Sequence, residues 1–535
     1  MVTATRGSVL AGISRLFQAG KQAQAGSQRA ATPGRLPPPL LRDVATPPPL
    51  TARRAATPGT SSAAPRAAQG SPAAAQQAFV EQGFRPADAR LLVGSGLSAA
   101  DARALRELDY TARQIFHFGK SGGNLGEARA YAGAEPPLTP AQVTQFRRAG
   151  GTPDDLAGYR YEGFRVDEAI CLERAGIGIT GGKEYRRHGL PIDPVTTMRY
   201  KPDGAQRELG KGAFNTVFAG AFRASNGVLR TGVFKPLEAP VALRARQAAG
   251  ERLRIGVVGA AIGVQRDNPK VAERNLVTAG VEALLQEIAA RLTQQREDAG
   301  LSGAVTLPPV VPRTTVCLVG EPPRLGVLMD QAPGVTGHHQ EWGNYSHPEV
   351  YRGLITLQCL DALVGQGDRH AGNYLIGRDA AGKPVVTGID NDQSCGTNRS
   401  AGALSAEMRG AGDRRAAADR PGFYGCGLPG WIDTDMAAVI REIAPRDIER
   451  LFARIDGPDS EVVKAAVARL TELQTHVGVL ETRGRVIPPS GWQPDAAGKD
   501  RMHDRLTRPG ENNYVYRDME LAMQRLFDGN PGVRL

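Results

Sequence analysis

At 535 residues the chain has room for roughly three to five domain-sized units, and 41% apolar with 23% charged residues is ordinary globular composition; 65 glycines and 38 prolines add a loop-rich character. No run approaches the ~18 consecutive apolar residues of a membrane-spanning helix, and no apolar core with a small-residue cleavage site stands near the start, so a soluble chain without transmembrane contact is expected. The net charge of +11 is concentrated in residues 1–76, which hold nine basic residues and one acid, Asp43; the nearly neutral remainder argues against nucleic-acid binding by the folded part.

Residues 1–76 are built of Ala, Pro, Thr, Ser, Gln, Gly and Arg with one aromatic, Phe17, and cannot bury enough apolar surface to offset chain entropy. A disordered basic leader is expected there, either a plain linker or an address. Residues 77–193 carry a thirteen-residue period: Gly83, Gly96, Asp109 and Gly122, then, after a two-residue insertion, Pro137, Gly150, Gly163, Gly176 and Gly189. Nine residues after the first eight of these stand Leu92, Leu105, Phe118, Tyr131, Phe146, Tyr159, Leu172 and Tyr185; six after them stand only small or apolar residues, from Ala89 to Gly182. Offsets six and nine share one helix face, so each unit reads as a short helix and a turn. Such helices are unstable alone, and an all-α repeat domain is expected, either a scaffold or a partner-binding surface.

Beyond Pro191 the pattern gives way to glycine loops between β-branched runs, and a catalytic domain is placed at 196–535. Glu208 to Val217 reads as strand, glycine turn, strand; without Cβ atoms, Gly210 and Gly212 let backbone amides approach phosphate oxygens. The next strand, Thr231 to Pro236, sets Lys235 among apolar residues, as an edge lysine or as a point charge for phosphates. Val310 to Thr314 and Leu325 to Asp330 read as two further strands. From Leu357 an apolar helix ends at Gly365; a polar loop, Gly367-Asp368-Arg369-His370-Ala371-Gly372-Asn373, follows, and two strands joined at 379–383 lead to Asp390. Phosphoryl transfer requires a carboxylate near the acceptor hydroxyl and oxygen ligands for Mg²⁺; Asp368 can supply the first, Asn373 and Asp390 the second. Residues 393–430 form a Gly/Ala/Arg-rich loop with Arg409, Arg414, Arg415 and Arg420. The five cysteines, Cys171, Cys317, Cys359, Cys395 and Cys426, lack paired spacing and read as reduced thiols.

Over roughly Thr196 to Asp528 the sequence resembles the atypical kinase superfamily of phosphatidylinositol 3- and 4-kinases, actin-fragmin kinase and related bacterial effector kinases. Gly367 to Asn373 is similar to its catalytic loop, Ile389-Asp390-Asn391 to its metal motif, and Val233 to Pro236 to the lysine strand of type II phosphatidylinositol 4-kinases. The resemblance implies an α+β fold with a two-lobed kinase-like catalytic domain, ATP and Mg²⁺ as cofactors, Asp368 as catalytic aspartate, Asn373 and Asp390 as metal ligands and Lys235 as phosphate lysine. It implies an acid partner for Lys235 on the helix through residue 285, Glu273 by position or Glu282 in competition, and an adenine-binding hinge at Met329, Asp330 and Ala332. His-Arg-Asp and Ala-Pro-Glu signatures are absent, so an ordinary activation segment is not expected. The acceptor is expected to be a protein hydroxyl of a host cell, since the leader suits secretion into one by a bacterial export system, with a cytoplasmic chain as the other placement. A phosphoinositide acceptor, a nucleotide-binding scaffold without turnover, and transfer of AMP or glutamate are the alternatives.

Overall fold

The computed structural model describes residues 71–194, 197–211, 216–224, 227–238, 269–340, 342–402, 427–508, 513–516 and 518, with isolated positions between 242 and 248. The expected leader up to residue 70, Gly212, Cys426 and the arginines of 403–426 lie outside them. The architecture is mixed α and β. No helix among the described residues is long and apolar enough to cross a membrane.

Among the described residues nine short helices come first: α1 (Pro72–Glu81), α2 (Pro86–Leu92), α3 (Ala99–Glu107), α4 (Ala112–Lys120), α5 (Leu125–Ala132), α6 (Pro140–Ala149), α7 (Pro153–Tyr161), α8 (Val166–Arg174) and α9 (Gly178–Arg187). The first begins inside the stretch expected to be unstructured. Ser71 caps it, Pro72 opens it, and the following alanines favour helix, so order starts before residue 76. Ser98, Thr111, Asn124, Thr139 and Thr152 cap later helices by accepting an amide three residues on. At the other ends Gly83, Gly96, Asp109, Gly122, Gly150, Gly163, Gly176 and Gly189 have φ between 64° and 104°. This left-handed residue lets the following amide reach back to a carbonyl five residues earlier, as from Phe164 to Tyr159 (2.9 Å) and from Leu190 to Tyr185 (3.0 Å). Pro137, whose ring forbids positive φ, is the exception among the periodic positions.

Leu92, Leu105, Phe118, Tyr131, Phe146, Tyr159, Leu172 and Tyr185 are all completely buried. From α3 to α8 each helix packs on the helix two before it, so α2, α4, α6 and α8 form one row and α1, α3, α5 and α7 another. Arginines tie a helix to the one two before it. Arg106 donates to the carbonyls of Gly83 (2.8 Å) and Gln82 (3.1 Å), and Arg186 to those of Glu162 (2.7 Å) and Gly163 (2.8 Å), each cation meeting the carbonyl end of an earlier helix. Arg186 also lies 3.7 Å above the Phe164 ring.

A six-stranded sheet follows: β1 (Arg199–Pro202), β2 (Arg207–Lys211), β3 (Thr216–Ala224), β4 (Leu229–Pro236), β5 (Thr314–Val319) and β6 (Arg324–Asp330), in the order β1-β5-β6-β4-β3-β2. Because β1 also pairs with β3, Tyr200 opposite Ala224, five of the strands close into a ring around Tyr200, Phe222, Phe234, Cys317, Val319 and Leu328. The alternate residues Val316, Leu318, Leu325 and Val327 face outward and share a core with the helical layer. At the junction a Cβ on Gly181 of α9 would stand 2.7 Å from Leu318 Cδ1, so glycine permits the close docking. The strand expected at Val310 to Thr314 lies one step later, at Thr314–Val319: Pro312 cannot donate a ladder hydrogen bond, whereas Thr314 to Val319 is a run of sheet-forming residues.

The long helix α10 (Val271–Asp298) joins this core to a second one built from α11 (Pro348–Val364), α12 (Thr434–Glu442), α13 (Pro445–Asp456) and α14 (Glu461–Thr482). A three-stranded sheet of β7 (Val335–Thr336), β8 (Tyr374–Arg378) and β9 (Pro384–Gly388) lies beside α11.

Leu172→Ala is expected to destabilise the chain by about 2 to 5 kcal/mol, because it empties a fully buried position against Phe164 and Gly182. Arg165→Ala, seven residues earlier and 72% exposed, should cost within about 0.5 kcal/mol. Urea denaturation of the two variants makes the comparison; equal losses would refute the packing argument.

Candidate active site

Helix α11 is buried over most of its length and ends at Gly365, a left-handed cap whose amide bonds the Asp361 carbonyl. The chain then turns through 366–373 into β8. Its shape is set by Arg369, fully buried, which donates to both carboxylate oxygens of Asp361 (2.9 and 3.0 Å), to the backbone oxygens of Asn373 and Ile389, and to Asn391 Oδ1 (2.7 Å). Antiparallel pairing of Tyr374 with Gly388 places Asn373 immediately before one strand and Ile389 immediately after its partner, and the Ile389 amide donates to the Asn373 carbonyl at 2.8 Å. The hairpin thus sets Asn373 beside Asp390. Asp390 has φ of 55°, a left-handed conformation uncommon outside glycine and asparagine.

Lys235, on β4, reaches the same place from 155 residues upstream. Its buried ammonium donates to Asp390 Oδ1 at 3.0 Å and makes a shorter contact with Asp392 Oδ2. Burial disfavours its charge, but the two carboxylates outweigh that and raise its proton affinity above the ordinary lysine value. Lys235 in turn holds Asp390 below the usual carboxylate range, whereas burial pushes Asp392 up. Asp390 is the outward member of the pair, its side chain 47% exposed against 7% for Asp392.

The expected partner of Lys235 is corrected by this arrangement. Glu273 pairs instead with Lys270 at 3.7 Å, and Glu282 accepts from Val310 N (3.2 Å) and Gln286 Nε2 (3.0 Å). The reason is helical phase: Asn275 is the α10 residue facing the site, donating to Asp392 Oδ1 at 2.8 Å, and Glu273, two positions away, is turned by about 200° to another side. The hinge residues Met329, Asp330 and Ala332 lie at the end of β6. The Asp330 amide is used by Arg313 O (2.9 Å) and that of Gln331 by Thr231 O (3.2 Å), while the Asp330 carboxylate pairs with Arg230, so Ala332 is the amide in this window left to a ligand. Gly210 is the last residue but one of β2, paired with Val217 after a register shift at 208–210.

Asp368 is buried and accepts at Oδ2 from Gln393 Nε2 (2.9 Å); its amide donates to Gln366 Oε1 (2.9 Å) and its carbonyl accepts from Asn373 Nδ2 (2.7 Å). Its Oδ1 is buried without a hydrogen-bond partner. Burial, then the nearby charge of Asp390, push the carboxyl up to about 7. Among the described residues no three His, Cys, Asp or Glu side chains group as a metal cage. Mg²⁺ needs none, since one or two carboxylates together with phosphates and waters suffice. The donor chemistry fits: Asp390 is ionised and outward-facing, and the Asn373 amide nitrogen is already engaged, leaving its oxygen as the ligating atom. No known protein family's sequence profile matches the chain, and no curated protein matches it.

Asp392, Asn275, Gln393 and Gln366 escaped the sequence reading. Asp392 alone left a signal there, an acid two residues after Asp390.

Two outcomes follow from the buried charges. Asp361→Asn should destabilise the chain by about 3 to 5 kcal/mol in urea melts, since it leaves the Arg369 guanidinium buried without its counter-ion. Glu282, pushed up to about 7 by burial, keeps its proton in the folded chain over a range in which the unfolded chain has released it, so its contribution to stability falls as pH rises from about 4.5 to 7. Glu282→Gln should therefore be near neutral at pH 4.5 and stabilising by about 1 to 3 kcal/mol at pH 8. A stability difference independent of pH would contradict the assignment.

Proposed function

We propose that the chain is an ATP- and Mg²⁺-dependent kinase that transfers the γ-phosphoryl group to a hydroxyl on a protein. The observation that carries this reading is the convergence of Lys235, Asp368, Asn373, Asp390 and Asp392 from a sheet strand, a loop and a hairpin into one charged cluster. In this reading the closed sheet with Lys235 and the part built on α11 are the two lobes of a kinase-like domain. The nine helices form a repeat scaffold behind the first lobe.

Lys235, held in place by two carboxylates, would present its ammonium to phosphate oxygens together with the backbone at 210–212. Asn373 and Asp390 would hold Mg²⁺, which when bound supplies neutralisation of charge on the transferring group. Asp368 would orient the acceptor hydroxyl and receive its proton at Oδ1, an oxygen with no competing donor and a proton affinity near neutrality. Ala332 would offer its amide to adenine. A protein acceptor is favoured over a phosphoinositide because a stacked helical layer adjoins the site-bearing sheet; delivery of the chain into a host cell is part of the same proposal.

Asp390→Asn should lower turnover at least ~100-fold with the melting temperature little changed, because asparagine tolerates the left-handed backbone while removing the charged ligand. Incubation with γ- and α-labelled ATP, Mg²⁺ and protein or lipid extracts identifies the reaction. Label from the γ position on protein is expected; α-label on protein, label on lipid only, or undiminished activity of Asp390→Asn would overturn the reading.

A further inference from the structure

Helices α4 and α6, neighbours in one row of the helical layer, contain no acidic residue. Residues 77–193 as a whole hold fifteen basic and fifteen acidic side chains, so the imbalance is local. α4 carries Arg113, His117 and Lys120, and α6 carries Arg147 and Arg148. Arg147 has a carboxylate partner, Glu127 at 3.2 Å, and also donates to Ser121 O. Arg113, Lys120 and Arg148 are exposed and make no ion pair among the described residues, with His117 half-buried beside them. Arg113, His117 and Lys120, four and three residues apart, share one face of α4, which packs on α6, and burial, then the charges of Arg148 and Arg113, lower the proton affinity of His117.

Helix stability explains only part of this. Lys120 and Arg148 stand in last turns, where a cation offsets the helix dipole. Arg113 stands in the first turn of α4, where the dipole opposes a cation and no acid compensates.

We propose that the outer face of α4 and α6, formed by Arg113, His117, Lys120 and Arg148, docks an extended acidic peptide segment of a partner protein. Packed helices lie roughly 8 to 10 Å apart, and an extended chain advances about 10 Å in three residues, so carboxylates at every third position meet cations on successive helices. Arg174, exposed at the end of α8, continues the row. A narrow strip on a module of balanced charge lacks the broad positive footprint of a duplex-binding surface. The site stands independently of the phosphotransfer reading, and its test reads binding alone.

The test uses the full chain and a fluorescent twelve-residue peptide with glutamate at every third position in a Ser/Gly background, against its glutamine counterpart. The glutamate peptide should bind, increasingly weakly as salt rises. The double variant Arg113→Gln, Arg148→Gln should weaken binding about tenfold, while Arg103→Gln, Arg129→Gln, exposed on α3 and α5 of the other row, should not. In the wild-type chain the His117 titration followed by NMR should move to higher pH when peptide is added, because the carboxylates offset the repulsion; this readout depends on no variant's folding. Equal affinity for the glutamine peptide, equal losses in the two double variants, an unmoved His117 titration, or tighter binding of a duplex oligonucleotide or phosphatidylserine vesicles at the same salt would each overturn the proposal.

Discussion

A guanidinium withdrawn from water must find an oxygen for each of its five N–H groups, and Arg369 finds them on Asp361, Asn373, Ile389 and Asn391. Those partners belong to a helix, the start of one strand and the segment after the next. Meeting the hydrogen-bonding demand of one buried side chain therefore holds the loop of Asp368, the strand start at Asn373 and the turn at Asp390 in a single arrangement. Removing water from a charge is expensive, so the arrangement that satisfies all five donors is strongly preferred over any that satisfies four. Tyr514 completes the circuit by donating to Asp361 at 2.8 Å.

Two further buried arginines also hold backbone carbonyls, although Arg469 leaves its Nη2 without a hydrogen-bond partner among the described residues. Arg274, on α10, donates to the carbonyls of Ser394 and Cys395, and Arg469, on α14, to those of Leu363, Gly396 and Asn398. The backbone from 389 to 398, with left-handed residues at Asp390 and Cys395, is thereby held from two helices and from the loop after α11. Conformations that cost energy locally persist because their surroundings determine them several times over. The outcome is a carboxylate at Asp390 that faces outward next to a lysine, and a carboxyl at Asp368 whose burial raises its proton affinity.

The helical layer and the closed sheet share one apolar core, since alternate residues of β5 and β6 point away from the ring interior and toward α9. A strand buried on both faces leaves little freedom for Lys235 on the neighbouring β4. The layer thus supports the site mechanically.

The sequence by itself determined what depends on near neighbours in the chain: the thirteen-residue spacing of left-handed positions, capping residues at helix starts, the hairpin of β8 and β9, and the set of polar residues around 368–373. Turn chemistry and periodicity are local, so residue order suffices for them. Only the tertiary structure decided that Lys235 meets Asp390 and Asp392, that Glu273 turns to Lys270, that Asn275 faces the site, and that Arg369 satisfies all its donors at once. These pairings join residues more than a hundred positions apart, hinge on the phase of α10 or, for Arg369, need a helix end, a loop and a hairpin packed at once, and none of this is written in the order of residues. They are set when several buried charges must be satisfied together in one packed core, a condition that belongs to the folded chain as a whole.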